Sequence, residues 1–442
     1  MTKQATVEKI ETEFQERIAE EELLNCMRCG FCLPACPTYI ETQDEVHSPR
    51  GRISLMLAVR NGEIDTMDEM QEVEHSLDVC LGCRACEPAC PAGVNYGEML
   101  EESRAILNEQ NEPGIKEKGI RKMTLEGLFK NPKQMQQATS LLGFYQRSGL
   151  QKTTRKLSVM RFFPEHMAQM ERVLPTPTKK KDRMHAAKFP SQTSEVKATV
   201  AMFKGCLMDT LFHETNRSTI ELLTLAGCDV VVPNSQNCCG ALHGHSGEKS
   251  GAIDLAKENI TAFEKTGADY IITNAGGCGA FLHDYGHLLS GDIDWRERAE
   301  EFSSQIVDFS SVLIEVGFLE EVELKLGNQI VTYQDSCHLR NVLGVADAPR
   351  ELIQSMDGVS YVEMKGAEQC CGSAGIYNLT QPEMSMQILD HKMEHVNATA
   401  AHTIVTTNPG CLLQMKLGIE REGQSENVRA VHLADLLLEA VE

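Results

Sequence analysis

No run of about 18 apolar residues occurs anywhere in this 442-residue chain, so no transmembrane helix is expected. The opening stretch MTKQATVEKIETEFQERIAEEELLN is polar and acidic, without the apolar core of an export signal. A G-x-G-x-x-G fingerprint is missing too, so the sequence offers no dinucleotide fingerprint of its own. Positive charge is in short supply, with 42 Lys and Arg against 64 Asp and Glu and a net charge of −22. Acidic domains of this kind repel a phosphate backbone, so nucleic-acid binding is disfavoured.

The charge deficit is uneven. Residues 1–112 carry 9 basic against 23 acidic side chains, a net of −14, whereas residues 113–200 carry 18 against 6, a net of +12. Residues 201–442 then hold −20, so a basic connector joins two acidic parts. A chain of this length exceeds what one core ordinarily serves, and two or three domains are expected. The 42% hydrophobic and 24% charged residues are those of a soluble globular protein.

Cysteine is abundant, at seventeen. An odd number cannot all pair within one chain, and in a long chain without an export signal metal ligation is the expected use. The expected compartment is a reducing cytoplasm.

Two stretches repeat one pattern. NCMRCGFCLPACP holds Cys26, Cys29, Cys32 and Cys36, and CLGCRACEPACP holds Cys80, Cys83, Cys86 and Cys90. Both read C-x2-C-x2-C-x3-C-P, the run of bacterial ferredoxins that carry two [4Fe–4S] clusters. In that pattern three thiolates wrap one cube and the fourth reaches the other. The expected ligand sets are therefore Cys26, Cys29, Cys32 with Cys90, and Cys80, Cys83, Cys86 with Cys36. Structural zinc is the competing reading, but zinc sites use C-x2-4-C pairs rather than two four-cysteine runs ending in Cys-Pro. Between the runs, Ser48 and Pro49 can start a helix, Ile53, Leu55, Met56, Leu57 and Val59 give it an apolar face, and Asn-Gly ends it. Arg50 and Arg52 could offset cluster charge or be salt-bridged at the surface.

Downstream, Cys206, Cys238, Cys239 and Cys278 are followed by Cys337, Cys370, Cys371 and Cys411, at offsets of 131, 132, 132 and 133 residues. The near-constant offset marks a duplicated unit. ATVAMFKGC, CDVVVP and DYIITN, matched by QIVTYQDSC, SYVEM and TIVTTN, read as strands, with helices over 209–226, 247–266 and 381–397. Strand–helix alternation predicts parallel sheets, with each cysteine at a strand's C-terminal end. These eight thiols are expected to hold metal or a cluster. Cys228 has no counterpart, since position 360 is Ser, and reads as a core residue. His243, His245, His283 and His338 lie near the sets and are expected to be hydrogen-bonded loop residues rather than iron ligands.

The connector stretch SLLGFYQRSGLQKTTRKLSVMRFFPEHM mixes apolar side chains with Lys and Arg. It fits either a helical linker packed on its own domains or a basic amphipathic surface for an anionic membrane or acidic partner. KKKDR at 179–183 reads as an exposed boundary.

CMRCGFCLPACPTY, SPRGRI, CLGCRACEPACPAGV, CCGALHG, NAGGCGAF and CCGSAGIYNLT together resemble, in order, the iron–sulfur subunit of bacterial glycolate oxidase over essentially the whole chain. The resemblance extends to the cysteine-rich CCG repeats shared with heterodisulfide reductase and the anaerobic glycerol-3-phosphate dehydrogenase iron–sulfur subunit. It implies an α+β and α/β chain with four parts. These are a helical two-cluster ferredoxin-like domain (1–112), a basic helical connector (113–197) and two α/β CCG repeats (198–328 and 329–442). It further implies two [4Fe–4S] clusters, further clusters in the repeats, FAD on partner subunits that oxidise a 2-hydroxy acid, and an acceptor such as quinone. The location implied is cytoplasmic or peripheral on the inner face of the membrane. The competing functions are a heterodisulfide-reductase-like catalyst and the iron–sulfur subunit of a D-lactate or glycerol-3-phosphate dehydrogenase. Heterodisulfide reductase repeats end in C-x2-C, whereas Cys278 is followed by Gly-Ala-Phe and Cys411 by Leu-Leu-Gln, which argues against disulfide chemistry.

Overall fold

The computed structural model describes residues 3–110, 119, 121–183 and 186–441. The N-terminal part is helical: Lys3–Arg17, Pro49–Arg60, Met67–Asp78 and Tyr96–Gln110 surround a core that includes Ile10, Phe14, Met56, Leu77, Met99 and Ile106. The helix between the cysteine runs starts as its sequence predicts. Ser48 Oγ accepts from Gly51 N at 3.0 Å, Pro49 takes the first turn, and Asn61 caps the C-terminus before Gly62 turns at φ +68°. Ile53, Met56 and Val59 are buried on its inner face, and so is Arg52.

Residues 188–441 are built on two sheets. The first contains β1 (Lys188–Phe189), β2 (Ala198–Met202), β3 (Cys228–Val231), β4 (Tyr270–Thr273) and β5 (Ile306–Asp308), in the order β1-β3-β2-β4-β5. The second contains β6 (Lys325–Tyr333), β7 (Asp357–Tyr361), β8 (Thr403–Thr406) and β9 (Arg429–His432), in the order β7-β6-β8-β9. Among the strands of the described residues only β1 pairs antiparallel, and it is an edge strand supplied by the end of the connector. Without β1, the two sheets share one topology: β3-β2-β4-β5 corresponds to β7-β6-β8-β9, and all the pairings are parallel. The duplication read from cysteine spacing is thus a duplication of strand order.

The two repeats bury one core together. Val200, Met202 and Phe309 of the first share an apolar cluster with Val331, Tyr333 and Leu437 of the second. The pairing is reciprocal. Helix His213–Leu225 of the first repeat packs on Leu433–Ala440 of the second, and Asp347–Gln354 of the second packs on Phe309–Glu315 of the first. In each pair the helix after a repeat's first strand meets the helix after its partner's last strand, so the repeats face each other with approximate two-fold symmetry. Asp435 ties the interface by accepting from Thr215 Oγ1 at 2.7 Å and Ser218 Oγ at 2.9 Å.

The connector packs on the repeats along one side. Lys130 Nζ meets Asp254 at 2.6 Å, and helix Glu165–Val173 lies on Pro409–Arg421. Its other side leaves Leu141, Phe144, Leu157 and Phe162 exposed. In KKKDR, Lys179–Asp182 is exposed as expected, but Arg183 is not. Its side chain is buried and Nε donates to Thr178 O at 3.2 Å, so the stretch is anchored at that point. Among the described residues, no helix is long and apolar enough to cross a membrane.

Candidate cluster-binding sites

Each N-terminal cysteine loop is shaped by two left-handed residues at matching positions. In the first these are Arg28 (φ 53°) and Gly30 (φ 89°), and in the second Gly82 (φ 64°) and Arg84 (φ 56°). A non-glycine residue adopts this region at a cost of about 1–2 kcal/mol. Its recurrence in both loops therefore reflects a common wrapping geometry that turns successive thiols inward.

Cys36 acts on Cys32 of its own run and also reaches the second run. It lines a small cavity together with Cys80, Cys83 and Cys86. Burial, followed by the thiols of Cys337, Cys80 and Cys36, pushes the Cys83 thiol well above its ordinary range. Cys86 is raised in the same way, by burial and then by Cys83, Cys80 and Cys36. Cys80 behaves differently. Burial alone would raise it, but the guanidiniums of Arg52 and Arg104 outweigh that and hold it below its ordinary value. Tyr96 OH and Gly82 N–H also donate to Cys80 Sγ, at 3.5 and 3.4 Å. At the other end, Asn25 Nδ2 donates to Ala92 O at 3.1 Å, drawing the residue before Cys26 to the turn after Cys90. Cys29 is exposed, and Cys26, Cys32 and Cys90 are half-buried. Of the two arginines between the runs, Arg50 is salt-bridged to Glu45 at 2.6 Å, and Arg52 is buried beside the thiols.

In the repeats each cysteine follows a parallel strand. Cys206 and Cys278 follow β2 and β4, the neighbouring strands between which the connections diverge, and Cys238–Cys239 follow β3. Such switch points are where α/β sheets form their crevices. Cys238 Sγ lies 3.7 Å from Cys206 Sγ. Hydrogen-bonding thiol contacts then run Cys206–Cys238–Cys239–Cys278, and in the second repeat Cys337–Cys370–Cys371–Cys411, in the same order. The residue after each vicinal pair is a left-handed glycine, Gly240 (φ 90°) or Gly372 (φ 87°). A Cβ on Gly372 would lie 2.6 Å from Ser385 O, so the chain can pass there only without a side chain.

The surroundings of the two sets differ. The first is covered by the connector: Phe129, Pro132 and Met135 line a small cavity with Cys206 and Cys238. The second abuts the N-terminal domain. Leu81 and Cys83 pack with Cys370, Tyr377 and Ile388, while His338 Nε2–H donates to Gly82 O and Asn341 Nδ2–H to Cys83 O, both at 2.9 Å. Tyr377 OH donates to Val79 O at 2.8 Å.

The candidate histidines are occupied elsewhere. His243 Nε2 meets Leu125 O at 3.1 Å, His245 Nδ1 meets Glu101 at 2.8 Å, and exposed His283 lies 3.9 Å from Asp284. His338 anchors the second loop as described, and burial, with His245 next in effect, pushes its value down to about 4 and keeps it neutral. Cys228 sits in the core on β3, its thiol pushed up to about 11 by burial.

Among the described residues, no three His, Cys, Asp or Glu side chains converge where a single metal ion could be held. Four thiols around one cavity, backed by guanidinium groups and backbone amides, match instead the donor chemistry of an anionic thiolate-bound cluster. Such an arrangement defines a class, the multi-cluster iron–sulfur electron carriers.

The comparisons with known proteins agree. Residues 22–94 match the family model described as a 4Fe-4S dicluster domain, and residues 116–174 the linker region of the glycolate oxidase iron-sulfur subunit. Residues 200–283 and 331–416 match the cysteine-rich domain. The probable glycolate oxidase iron-sulfur subunit of Bacillus subtilis (strain 168) is 57% identical over 442 residues, covering 100% of this chain and 99% of that one. The glycolate oxidase iron-sulfur subunit of Escherichia coli (strain K12) is 32% identical over 397 residues, 89% of each chain. Lactate utilization protein A of Oceanobacillus iheyensis is 33% identical over 238 residues, 54% of this chain and 96% of that one. In fold, the crystal structure of a hypothetical protein from Helicobacter pylori superposes with a TM-score of 0.51 at 11% identity, covering 100% of this chain and 76% of that one. This chain belongs to the family of glycolate oxidase iron–sulfur subunits.

Proposed function

We propose that this chain is the iron–sulfur electron-transfer subunit of a flavin-dependent glycolate (2-hydroxy-acid) oxidase. It takes electrons from a FAD-containing partner and delivers them to an acceptor such as quinone. The observation that carries this reading is the continuity of thiols: Cys36, Cys80, Cys83 and Cys86 share one cavity, and Cys83 abuts Cys337 and Cys370. The ligand sets are Cys26, Cys29, Cys32 and Cys90 for one cube, and Cys36, Cys80, Cys83 and Cys86 for the other. The eight repeat cysteines form two further sets. When bound, such clusters supply one-electron exchange.

The chain's own residues do the rest. The left-handed loop positions aim the thiols inward, and the deep burial of Cys80, Cys83 and Cys86 keeps water from the second cavity. Metal uptake must displace the protons that burial holds on Cys83 and Cys86, so loading should release protons. The contacts of His338, Asn341 and Tyr377 hold the second loop against the second repeat. Substrate oxidation removes a hydride equivalent, which is flavin work, and is assigned to the partner. The exposed apolar and basic face of the connector is the docking side for an anionic membrane or an acidic partner surface.

The crossed ligands provide the test. In anaerobically reconstituted variants, Cys36→Ser should damage the cube of the second run and Cys90→Ser that of the first, read by electron paramagnetic resonance. Damage confined to each residue's own run would overturn the assignment.

A further inference from the structure

Arg52 is the one arginine of the N-terminal domain whose side chain is completely shielded, at 0% exposure. It lies on the inner face of helix Pro49–Arg60, a position the apolar periodicity of that helix would reserve for a hydrophobic residue. Its Nε donates to Ser76 O at 2.8 Å and its Nη2 to Thr38 Oγ1 at 3.1 Å. Among the described residues no oxygen or nitrogen pairs with Nη1, and the thiol drawn to the guanidinium by hydrogen bonding is that of Cys36. The charged form is not in question, because a guanidinium stays protonated even when buried. A buried cation is costly unless an anion faces it.

The side chain lines the same cavity as Cys36, Cys80, Cys83 and Cys86. The groups acting most strongly on its charge are Cys80, Tyr96 and Cys36, not a carboxylate. The first site is provided for differently. Arg50, the cation near Cys32, is already paired with Glu45 at 2.6 Å, and Cys29 there is open to water.

We propose that Arg52 is a dedicated counter-cation of the second cluster, a positioning residue whose charge raises that cluster's reduction potential selectively. The inference rests on the functional reading above. The step it favours is one electron entering the cluster from the flavin partner, with no bond made or broken and no proton taken up. A thiolate-bound cube is anionic and becomes more so on reduction, so a fixed positive charge within its cavity stabilises the reduced form more than the oxidised one. Deep burial of Cys80, Cys83 and Cys86 would otherwise oppose the added charge. Arg52 thereby keeps reducible the cluster that touches the second repeat.

The test is a redox titration of the anaerobically reconstituted full chain, followed by electron paramagnetic resonance. Wild type is compared with Arg52→Gln and Arg52→Lys, and the second-cluster signal is identified as the one lost in Cys83→Ser. In Arg52→Gln the reduced-to-oxidised ratio at the wild-type midpoint should fall at least tenfold, about 59 mV for a one-electron couple. Arg52→Lys, which keeps the charge, should recover most of that shift, and the first-cluster midpoint should stay where it was in both. A loaded Arg52→Gln protein with an unmoved second midpoint would overturn the proposal, as would equal shifts in the Lys and Gln variants. If Arg52→Gln fails to bind the second cube, Arg52→Lys decides: near-wild-type loading and midpoint support the charge role, and failure to load refutes it. A wild-type chain that takes up no cubes defeats the functional reading itself, whereas loaded cubes with unmoved midpoints defeat this inference alone.

Discussion

Substituting alanine at the two glycines that follow the vicinal cysteines should produce unequal damage. Gly240 and Gly372 have nearly the same backbone, at φ 90° and 87°, so each substitution carries the left-handed penalty of about 1–2 kcal/mol. The surroundings differ. A Cβ on Gly240 would meet Phe281 Cε1 at 3.2 Å, a ring edge that can yield by a few tenths of an ångström. A Cβ on Gly372 would meet the backbone oxygen of Ser385 at 2.6 Å, and that residue is fixed in helix Pro382–Ala398 with its own hydroxyl bonded to Gly372 O at 2.8 Å. Relieving such a clash by moving backbone costs about 1–3 kcal/mol more. With a thermal sensitivity of about 3 °C per kcal/mol for a unit of this size, Gly372→Ala should melt about 3–9 °C below Gly240→Ala. It should also lose whatever iron the second repeat binds before the first repeat is affected. Differential scanning fluorimetry with iron and sulfide analysis of the loaded full chain reads both effects. Equal melting temperatures, or Gly240→Ala melting lower, would refute the reasoning.

Asp308 gives a pH-dependent prediction. Its carboxyl is buried at the start of helix Phe309–Glu315 and is pushed up to about 6 by burial, partly offset by Ser310. The folded value lies above the unfolded one, so the stability it contributes is full below about pH 4 and is lost as pH rises through about 6. The difference is worth about 3 kcal/mol. Asp308→Asn should remove that dependence, and urea denaturation should show the variant gaining on wild type by about that amount from acid to neutral pH. A pH-independent difference would refute it. For the connector, changing Lys152, Lys156 and Arg161 to Glu should weaken attachment to anionic vesicles or to the flavin subunit, with the larger loss at low salt. Unchanged binding to both would leave the segment a packed linker.

The cysteine pattern was legible because ligand spacing is local: three thiols within seven residues can only wrap something small. The strands before Cys278 and Cys411 were legible for a related reason, since the runs YIIT and TIVT are short, β-rich and closed by a turn. β5 and β9 were missed because Ile306–Asp308 and Arg429–His432 are short and, unlike β3, β4 and β8, are not followed by a cysteine motif that marks them. Their place in the sheets comes from packing, not propensity. The sequence left Arg50 and Arg52 between offsetting cluster charge and a surface salt bridge, because the contacts that bury one and pair the other with Glu45 are tertiary. The meeting of Cys83 with Cys337 and Cys370 spans more than 250 residues of sequence, and no local pattern encodes it. Equivalent cysteines in the two repeats read alike, yet one set lies under Met135 and the other against Leu81. Only tertiary structure separates them.

Electron delivery from substrate to this chain is the most direct test of the account. The loaded chain, a FAD-containing 2-hydroxy-acid dehydrogenase subunit and glycolate would be mixed anaerobically, frozen at intervals and examined by electron paramagnetic resonance. Signals of reduced clusters should appear after glycolate is added only when the flavin subunit is present, and Cys83→Ser should leave the flavin reducible while removing the second-cluster signal. Clusters that remain oxidised beside a fully reduced flavin, or glycolate-dependent dye reduction by the isolated, flavin-free chain, would contradict it.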